Sequence, residues 1–339
     1  MISSLVMSGL FRTLALHLRY KVIRNNMMID FNKFDSLFSV IEYFTTDEVC
    51  KQALAASRWS DGDVVCPYCG EHHCHLCKDN RYLCRKCNHK FNVTVGTIFE
   101  NTKVSLRKWF LAMYLISSNK KGIPSHQLAR DIEVTQKTAW FMLQKIRSLY
   151  GQSDETALEN EVECDEMYLG GREKNKHQSK KTEGTQGRST KTKTPIFGMI
   201  QREGDLRAMM VTDTKGSTLM PIIKQFVKDN AHLFTDEHNG YNELHADGSR
   251  YEHSIIRHNE NQYSDGNGVT TNTIEGFWGH FRRMVFGVYH YISVRYLQRY
   301  IDEAVFRWNT RKATEGSRFQ DMFRNAGKVY TYKNVRRVA

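Results

Sequence analysis

The stretch "EVECDEMYLGG", residues 161–171, decides the fold prediction because it alternates apolar and acidic side chains and then ends at two glycines. Alternate side chains of a β-strand share a face, so Glu163 and Asp165 are expected on one face and Val162 and Cys164 on the other. An acidic side chain on a partly buried strand is costly unless a cation offsets its charge. The lysine-rich sequence that follows indicates that an anion binds nearby.

The segments after this strand predict a mixed sheet. Two more strands are expected to follow antiparallel, then an amphipathic helix and two shorter strands. Their sequences are "TPIFGMIQREG" (194–204), "LRAMMVTD" (206–213), "TLMPIIKQFVKDN" (218–230), "HLFTD" (232–236) and "EHSIIRH" (252–258). This order is that of a ribonuclease H-like fold, so we predict an α/β, ribonuclease H-like mixed-sheet catalytic core.

Three acidic residues are candidates for catalysis. Asp165 lies in the first strand, Asp236 directly follows the apolar "HLF", and Glu275 lies in a predicted helix, "TNTIEGFWGHFRRMVFG" (271–287), opposite its apolar stripe. Convergence of these carboxylates would create a site for Mg2+ or Mn2+, ions that prefer carboxylate oxygens and accept phosphate as a further ligand. Taken singly, an Asp or Glu at each of these positions is more commonly a surface charge or a cap than a ligand; their order and spacing together favour a shared site.

Cysteine spacing predicts a zinc site. Two CxxC pairs are separated by 14 residues, and a hairpin that brings them together supplies four thiolates in a tetrahedron; the four are Cys66, Cys69, Cys84 and Cys87. Cys74 and Cys77, between the pairs, leave a different ligand set open. A disulfide framework is the other alternative, and the absence of an export signal disfavours it. We therefore predict a zinc ribbon that holds a structural Zn2+.

Helical spacing follows the ribbon. The segments "VSLRKWFLAMYLISS" (104–118), "SHQLARDI" (125–132) and "QKTAWFMLQKIRSLY" (136–150) predict three helices, the last two joined by a tight turn. This arrangement resembles a helix-turn-helix, in which Gln136 and Lys137 at the exposed start of the last helix would contact DNA. A helical connection between domains is the alternative.

Charge indicates a polyanionic partner. The chain of 339 residues has a formal net charge of +12, which favours nucleic acid over a generic basic surface. The tract after Gly171 is too polar to pack and is expected to bind the DNA backbone, although a solvated loop is the alternative; its candidate contacts are Lys174, Lys176, Lys180 and Lys181. No segment has the ~20 consecutive apolar residues that cross a bilayer, so no membrane partner is expected.

Three motifs together resemble a known family. "VECDEMYLGGREKNKH" (162–177), "TDEHNGY" (235–241) and "NTIEGFWGHFRRMVFGVYH" (272–290) are similar to the DDE transposases of bacterial insertion sequences, in the group with an amino-terminal zinc ribbon. The resemblance implies a ribonuclease H-like core, a metal-dependent triad at Asp165, Asp236 and Glu275, and cut-and-join chemistry at terminal inverted repeats.

The sequence departs from the family at one position. Relatives often have lysine seven residues after the glutamate, where this chain has Arg282, whose planar guanidinium makes bidentate phosphate contacts. Arg282 and Arg283 are expected to hold phosphate near Glu275. Because some relatives use asparagine near the third acidic position, Asn272 is an alternative contributor to the site.

The sequence also predicts a division into domains. The expected parts are an extension (1–27), an N-terminal helix region with the zinc ribbon (28–100), a helix-turn-helix-like domain (101–153), the DDE domain (154–315) and a C-terminal tail (316–339). We expect a cytoplasmic, nucleoid-associated protein that binds double-stranded DNA as at least a homodimer, since two element ends must be joined. A catalytically inactive DNA-binding regulator and a metal-dependent nuclease without strand transfer are the alternative functions.

Overall fold

The computed structural model describes residues 29–151, 157–171, 176–185, 189–245, 250–256 and 270–326. These residues fold into two compact units. The first contains described residues from 29–118, 125–149 and 313–326, and the second contains those from 119–124 and 150–312. The predicted extension (1–27) and residues 327–339 of the predicted tail lie outside the described residues.

The elements follow in chain order. Up to residue 150, the chain forms α1 (Leu37–Tyr43), α2 (Asp47–Arg58), β1 (Cys74–Leu76), β2 (Tyr82–Cys84), β3 (Lys90–Phe91), α3 (Leu106–Ser118), α4 (Ser125–Asp131) and α5 (Gln136–Arg147). After residue 150 it forms β4 (Glu161–Leu169), β5 (Thr194–Gln201), β6 (Leu206–Met210), α6 (Gly216–Phe226), β7 (His232–Asp236), β8 (Glu252–Ile256), α7 (Asn272–Met284), α8 (Leu297–Asn309) and α9 (Glu315–Ala326). Short 3-10 turns, among them Asn239–His245, and the π-helical turn Val285–Tyr289 link them.

Aromatic side chains hold the first unit together. Phe31 contacts both Phe319 and Phe323 of α9, and Phe110 of α3 packs edge-on against Phe323 with ring centroids 4.9 Å apart. Helix α9 therefore belongs with the N-terminal helices. The predicted boundary at 316 falls inside this helix. The packing groups the helix with Phe31 and α3, which lie far earlier in the chain.

The zinc ribbon is a small antiparallel sheet in the order β1-β2-β3. Tyr82 stacks on Phe91 at 5.7 Å and meets Trp59 edge-on at 4.9 Å. These rings form a small apolar cluster beside strands of two or three residues. Such a core is too small to stabilise the ribbon by itself.

Helices α4 and α5 form the predicted helix pair. Thr135 is the N-cap of α5, where its hydroxyl accepts a 3.2 Å hydrogen bond from the backbone N–H of Thr138. Ala139, Leu143 and Ile146, spaced along one face of α5, are buried. The helix ends at Arg147, three residues before the predicted end, and continues as a 3-10 turn.

The second unit contains a five-stranded sheet in the order β6-β5-β4-β7-β8. Strands β4, β5 and β6 pair antiparallel, whereas β7 pairs parallel with β4 and β8 pairs parallel with β7. This is the strand order of the ribonuclease H-like fold, so the predicted fold class is confirmed. The predicted strand "HLFTD" coincides with β7.

Apolar clusters cover both faces of this sheet. Val162 and Cys164 of β4 pack on the face covered by α6, and Met167 packs on the other face with residues of α7 and α8. The face shared by Glu163 and Asp165 is therefore covered by α7 and is not a solvent-exposed polar face. This burial determines the chemistry of both carboxylates.

Candidate active site

Asp165 lies in the central strand β4 and pairs with Gly198 of β5. The pKa of its carboxyl is raised to about 7, chiefly by burial and also by the charges of Asp236 and Glu275, against hydrogen bonds from the backbone of Glu166 and from Trp278 that lower it. Asp236 and Glu275 raise this pKa because each carries a negative charge, and a nearby like charge disfavours ionisation of Asp165. In the structure, β7, which ends at Asp236, pairs parallel with β4, and Trp278, one turn after Glu275 on α7, donates to Asp165, so the sheet and α7 direct the three predicted residues to one region.

Asp236 is the last residue of β7, where the strand passes into the Asn239–His245 turn. Its carboxylate accepts a 3.0 Å hydrogen bond from the backbone N–H of His238, which fixes the start of this loop. Tyr241, five residues later, is buried and its hydroxyl donates to Glu166 of β4. Burial first, and then the charge of Glu166, raise the pKa of Tyr241, so its hydroxyl remains a donor.

Glu275 lies in the first turn of α7 and is exposed. Asn272, the alternative contributor, is the exposed first residue of the same helix. Within the described residues, just one group of three or more His, Cys, Asp or Glu side chains has all its ligand atoms within 4.8 Å of one another; it is the cysteine cluster, and the three predicted acidic residues do not form such a group.

Trp278 holds Asp165 and was not predicted. Its indole Nε1 donates a 3.0 Å hydrogen bond to Oδ2 of Asp165, from a position three residues after Glu275 on α7. Gly198 makes room for the ring, because a Cβ at that position would lie 2.7 Å from the Trp278 side chain. A tryptophan one turn after an acidic helix residue is the sequence signal that would have identified it.

Gly198→Ala is expected to lower the free energy of unfolding by roughly 1–3 kcal/mol, because the added methyl group overlaps a buried indole. Displacing the ring also removes the hydrogen bond to Asp165. The matched control is Gly276→Ala on α7, where the nearest side-chain atom is 3.9 Å away and alanine should stabilise the helix by about 1 kcal/mol. Urea denaturation of both variants tests this; equal stability of the two would contradict the packing argument.

A cleft of about 660 Å³ lies along the Gly170-Gly171 end of β4. Arg282 and Lys193 contribute the charged side chains of its lining, together with the exposed ring of Phe286. Gly170 approaches the returning chain so closely that a Cβ would lie 2.8 Å from the carbonyl oxygen of Thr192. The cleft is positively charged, which suits a phosphate backbone.

The other predicted DNA contacts have separate positions. Arg283 and Lys181 are exposed, Lys176 is partly exposed, and Lys174 and the side chain of Lys180 lie outside the described residues. In the first unit Gln136 and Lys137 are exposed at the start of α5. The side-chain amide of Gln136 donates a 2.9 Å hydrogen bond to Ser125, so it helps to join the two helices of the pair.

The four predicted zinc ligands come together in the first unit. Cys66 and Cys87 have their Sγ atoms 3.7 Å apart, and those of Cys69 and Cys84 are 3.6 Å apart. Four thiolates around Zn2+ at ~2.3 Å would be about 3.8 Å from one another, so the cluster fits this ion. Cys74 and Cys77 are outside this group.

Comparisons with known proteins agree with this architecture. The family model of the ISXO2-like transposase domain matches residues 157–309, and that of the transposase zinc-ribbon domain matches residues 45–90. The chain is 30% identical over 251 residues to an uncharacterised protein in transposable element ISH50 of Halobacterium salinarum, covering 69% of this chain and 82% of that protein. The chain belongs to the ISXO2-like transposase family.

A second relative of this transposase is an uncharacterised transposase-like protein of Haemophilus influenzae, 29% identical over 101 residues that cover 30% of this chain and 78% of that protein. No solved structure matches the chain. In the part of the transposase that the structure describes, every helix is too short or too polar to cross a bilayer. The predicted family and zinc ribbon are therefore confirmed.

Proposed function

We propose that the chain is an active DDE transposase that cleaves phosphodiester bonds at the terminal inverted repeats of its element and joins the resulting 3'-hydroxyl ends to target DNA. The observation that carries the proposal is the placement of the three residues: β7, which ends at Asp236, pairs parallel with the strand of Asp165, and Trp278, one turn after Glu275 on α7, donates to Asp165. A protein that merely binds DNA gains nothing from three carboxylates placed around one strand. A metal-dependent reaction requires such a group.

The proposed cofactor is Mg2+ or Mn2+, held by Asp165, Asp236 and Glu275. When bound, such ions supply an activated hydroxyl and stabilise the oxygen that leaves in an in-line displacement. Trp278 orients the Asp165 carboxylate through its 3.0 Å hydrogen bond. The backbone N–H of His238 fixes one oxygen of Asp236, so the ligands are held before the substrate binds.

The proposed reaction uses one chemistry twice. First, water attacks the phosphorus at the element end; the bond from phosphorus to the 3' oxygen breaks, and that oxygen takes a proton to become a 3'-hydroxyl. This hydroxyl then attacks a phosphorus in target DNA, which forms a new ester bond and releases a 3'-hydroxyl from the target. No covalent bond to the protein is needed, so catalysis is positioning and charge neutralisation.

The positively charged cleft is proposed to bind the DNA strand beside the scissile phosphate. Arg282 and Lys193 line it, and Arg283 is exposed on the next position of α7. The net charge of +12 supports binding of duplex DNA at both the element end and the target. Joining two ends requires two active sites, so the proposed active form is at least a dimer.

The test uses purified protein, a short duplex that carries the element's end, and Mg2+. Nicking at the end together with a joined product supports the transposase. Nicking without joining would instead support a nuclease, and retention of the duplex without any cleavage would support a catalytically inactive DNA-binding regulator. Duplexes of unrelated sequence are the control for specificity of the cut.

A further inference from the structure

Glu163, two residues before Asp165 on β4, is a buried carboxylate whose role the reaction above does not use. Its side chain has 0% exposure. An ionised carboxylate in such a position is strongly destabilising unless ion pairs and hydrogen bonds compensate it. Its partners therefore indicate what it does.

Both oxygens of Glu163 are fully engaged. Oε1 accepts from Nε of Arg202 at 2.9 Å and from the hydroxyl of Thr273 at 3.0 Å. Oε2 accepts from the backbone N–H groups of Thr273 and Ile274, each at 3.0 Å. With four donors on two oxygens and no exposed surface, Glu163 has no lone pair left for a metal ion.

The two backbone donors belong to the first turn of α7. The first N–H groups of a helix lack partners within the helix and need an acceptor from elsewhere. The N-cap residue Thr271 provides no side-chain hydrogen bond. Glu163 serves instead, and its negative charge is also favourable at the positive end of the helix dipole.

Arg202 extends these contacts to the neighbouring strands. Its guanidinium donates from Nη2 to the backbone carbonyl of Thr270 at 2.8 Å and from Nη1 to Glu161 at 3.2 Å. The same group lies 4.0 Å from the centre of the Phe234 ring on β7. The pair Glu163–Arg202 thus contacts β4, β7 and the start of α7.

These contacts have a regular relation to the three candidate catalytic carboxylates. Glu163 precedes Asp165 by two residues, and its β7 partner in the parallel register, Phe234, precedes Asp236 by two residues. Thr273 precedes Glu275 by two residues. Two residues advance a strand by ~6.6 Å and a helix by ~3 Å. On β4, β7 and α7 alike, the contacts of Glu163 and Arg202 therefore lie a short distance before the candidate catalytic carboxylate.

We infer that Glu163 and Arg202 form a positioning pair, which fixes the start of α7 against β4 and β7 so that Glu275 faces Asp165 and Asp236. The inference rests on the proposed function. Neither residue contacts the metal or the DNA in this role. A buried ion pair contributes little net stability compared with apolar residues of the same volume, but it specifies one position and one rotation of the helix.

The test measures Mn2+ affinity, without DNA and without turnover, in four proteins: wild type, E163Q, E275Q and the double variant. E163Q is expected to weaken binding about tenfold, as substitutions behind a metal ligand commonly do. If Glu163 acts through Glu275, the same substitution made in the E275Q background should change the affinity less than about twofold. Hydrogen exchange in EDTA should show faster exchange at the start of α7 in E163Q.

The matched control is E303Q, which removes the charge of another buried pair in the same unit. Glu303 has 0% exposure and lies 2.7 Å from Arg307 on α8. E303Q is expected to lower the melting temperature to a similar extent while Mn2+ affinity stays within about twofold of wild type. This control separates a loss of geometry from a loss of stability.

The outcomes distinguish the two proposals. If E275Q leaves Mn2+ binding unchanged, the acidic site itself is wrong. If E275Q weakens binding and E163Q does not, or if the two effects add, the positioning role is overturned while the proposed function remains. Should E163Q fail to fold, R202K gives the same comparison. Lysine keeps the positive charge, but its single ammonium group cannot make the contacts that the three guanidinium nitrogens of Arg202 make.

Discussion

Asp165→Asn should abolish both end cleavage and joining, by at least about a thousandfold, while duplex binding stays within a factor of about two. The substitution keeps the volume of the side chain and an oxygen that can accept from Trp278. It removes the charge that a divalent ion requires from its central ligand. Single-turnover cleavage and a gel-shift titration measure the two effects.

The same substitution should stabilise the metal-free protein. Because the folded-state pKa of Asp165 is raised to about 7 from 3.8, the folded protein holds this proton more tightly than the unfolded chain does. The group's contribution to stability is therefore fully present below about pH 4 and is lost as the pH rises towards 7. In EDTA at pH 8, D165N should be more stable than wild type by up to roughly 4 kcal/mol.

Divalent metal should reverse that order. Mn2+ raises the melting temperature of wild type because it binds the folded state alone, and D165N should gain little. Asp205→Asn, in the exposed turn between β5 and β6, is the matched control and should behave as wild type in every assay. Cleavage by D165N, or loss of activity in D205N, would contradict the assignment of the site.

The sequence predicted the sheet because the pattern that specifies it is local. The two-residue alternation in 161–169 and the apolar run before Asp236 each identify a strand without knowledge of its neighbours. The order of elements then leaves few topologies, since connections in α/β folds are short and of one hand. For the same reason the cysteine spacing was sufficient to predict the zinc cluster.

Contacts between residues far apart in the chain could not be predicted from the sequence. Alternation places Glu163 and Asp165 on one face, but it cannot show that α7 covers Glu163 completely, because that contact joins residues 110 positions apart. The indole of Trp278 approaches Asp165 because Gly198 on the next strand has no side chain. Such pairs depend on three elements at once.

Helix α9 illustrates the same limit. Its phenylalanines are spaced as in any amphipathic helix, so the sequence shows that it packs but not on what. Phe319 lies 5.6 Å from Phe31 and Phe323 lies 4.9 Å from Phe110, ring centre to ring centre. The domain boundary at 316 was predicted from linear order, whereas the first unit is built from both ends of the described chain.

Cys84→Ser is expected to lose the zinc ion and with it the fold of the ribbon. Binding of a structural Zn2+ contributes on the order of 10 kcal/mol to folding, far more than three strands of two or three residues can replace. Zinc content should fall from one ion per chain to none, and limited proteolysis should cut between the CxxC pairs. Mn2+ binding by the acidic site, in the second unit, should persist.

The matched controls are Cys74→Ser and Cys77→Ser, which change the same element outside the four-thiol group. Cys74 makes a 3.6 Å contact from Sγ to the carbonyl oxygen of Glu71 that serine can keep as a hydrogen bond. Both variants should therefore retain one zinc ion and resist the protease as wild type does. A tetrahedral site loses its ion when one of its own thiolates is removed, whereas removal of a neighbouring thiol leaves the ion bound. If either variant loses zinc as completely as C84S, the ligand set must therefore include the inner pair.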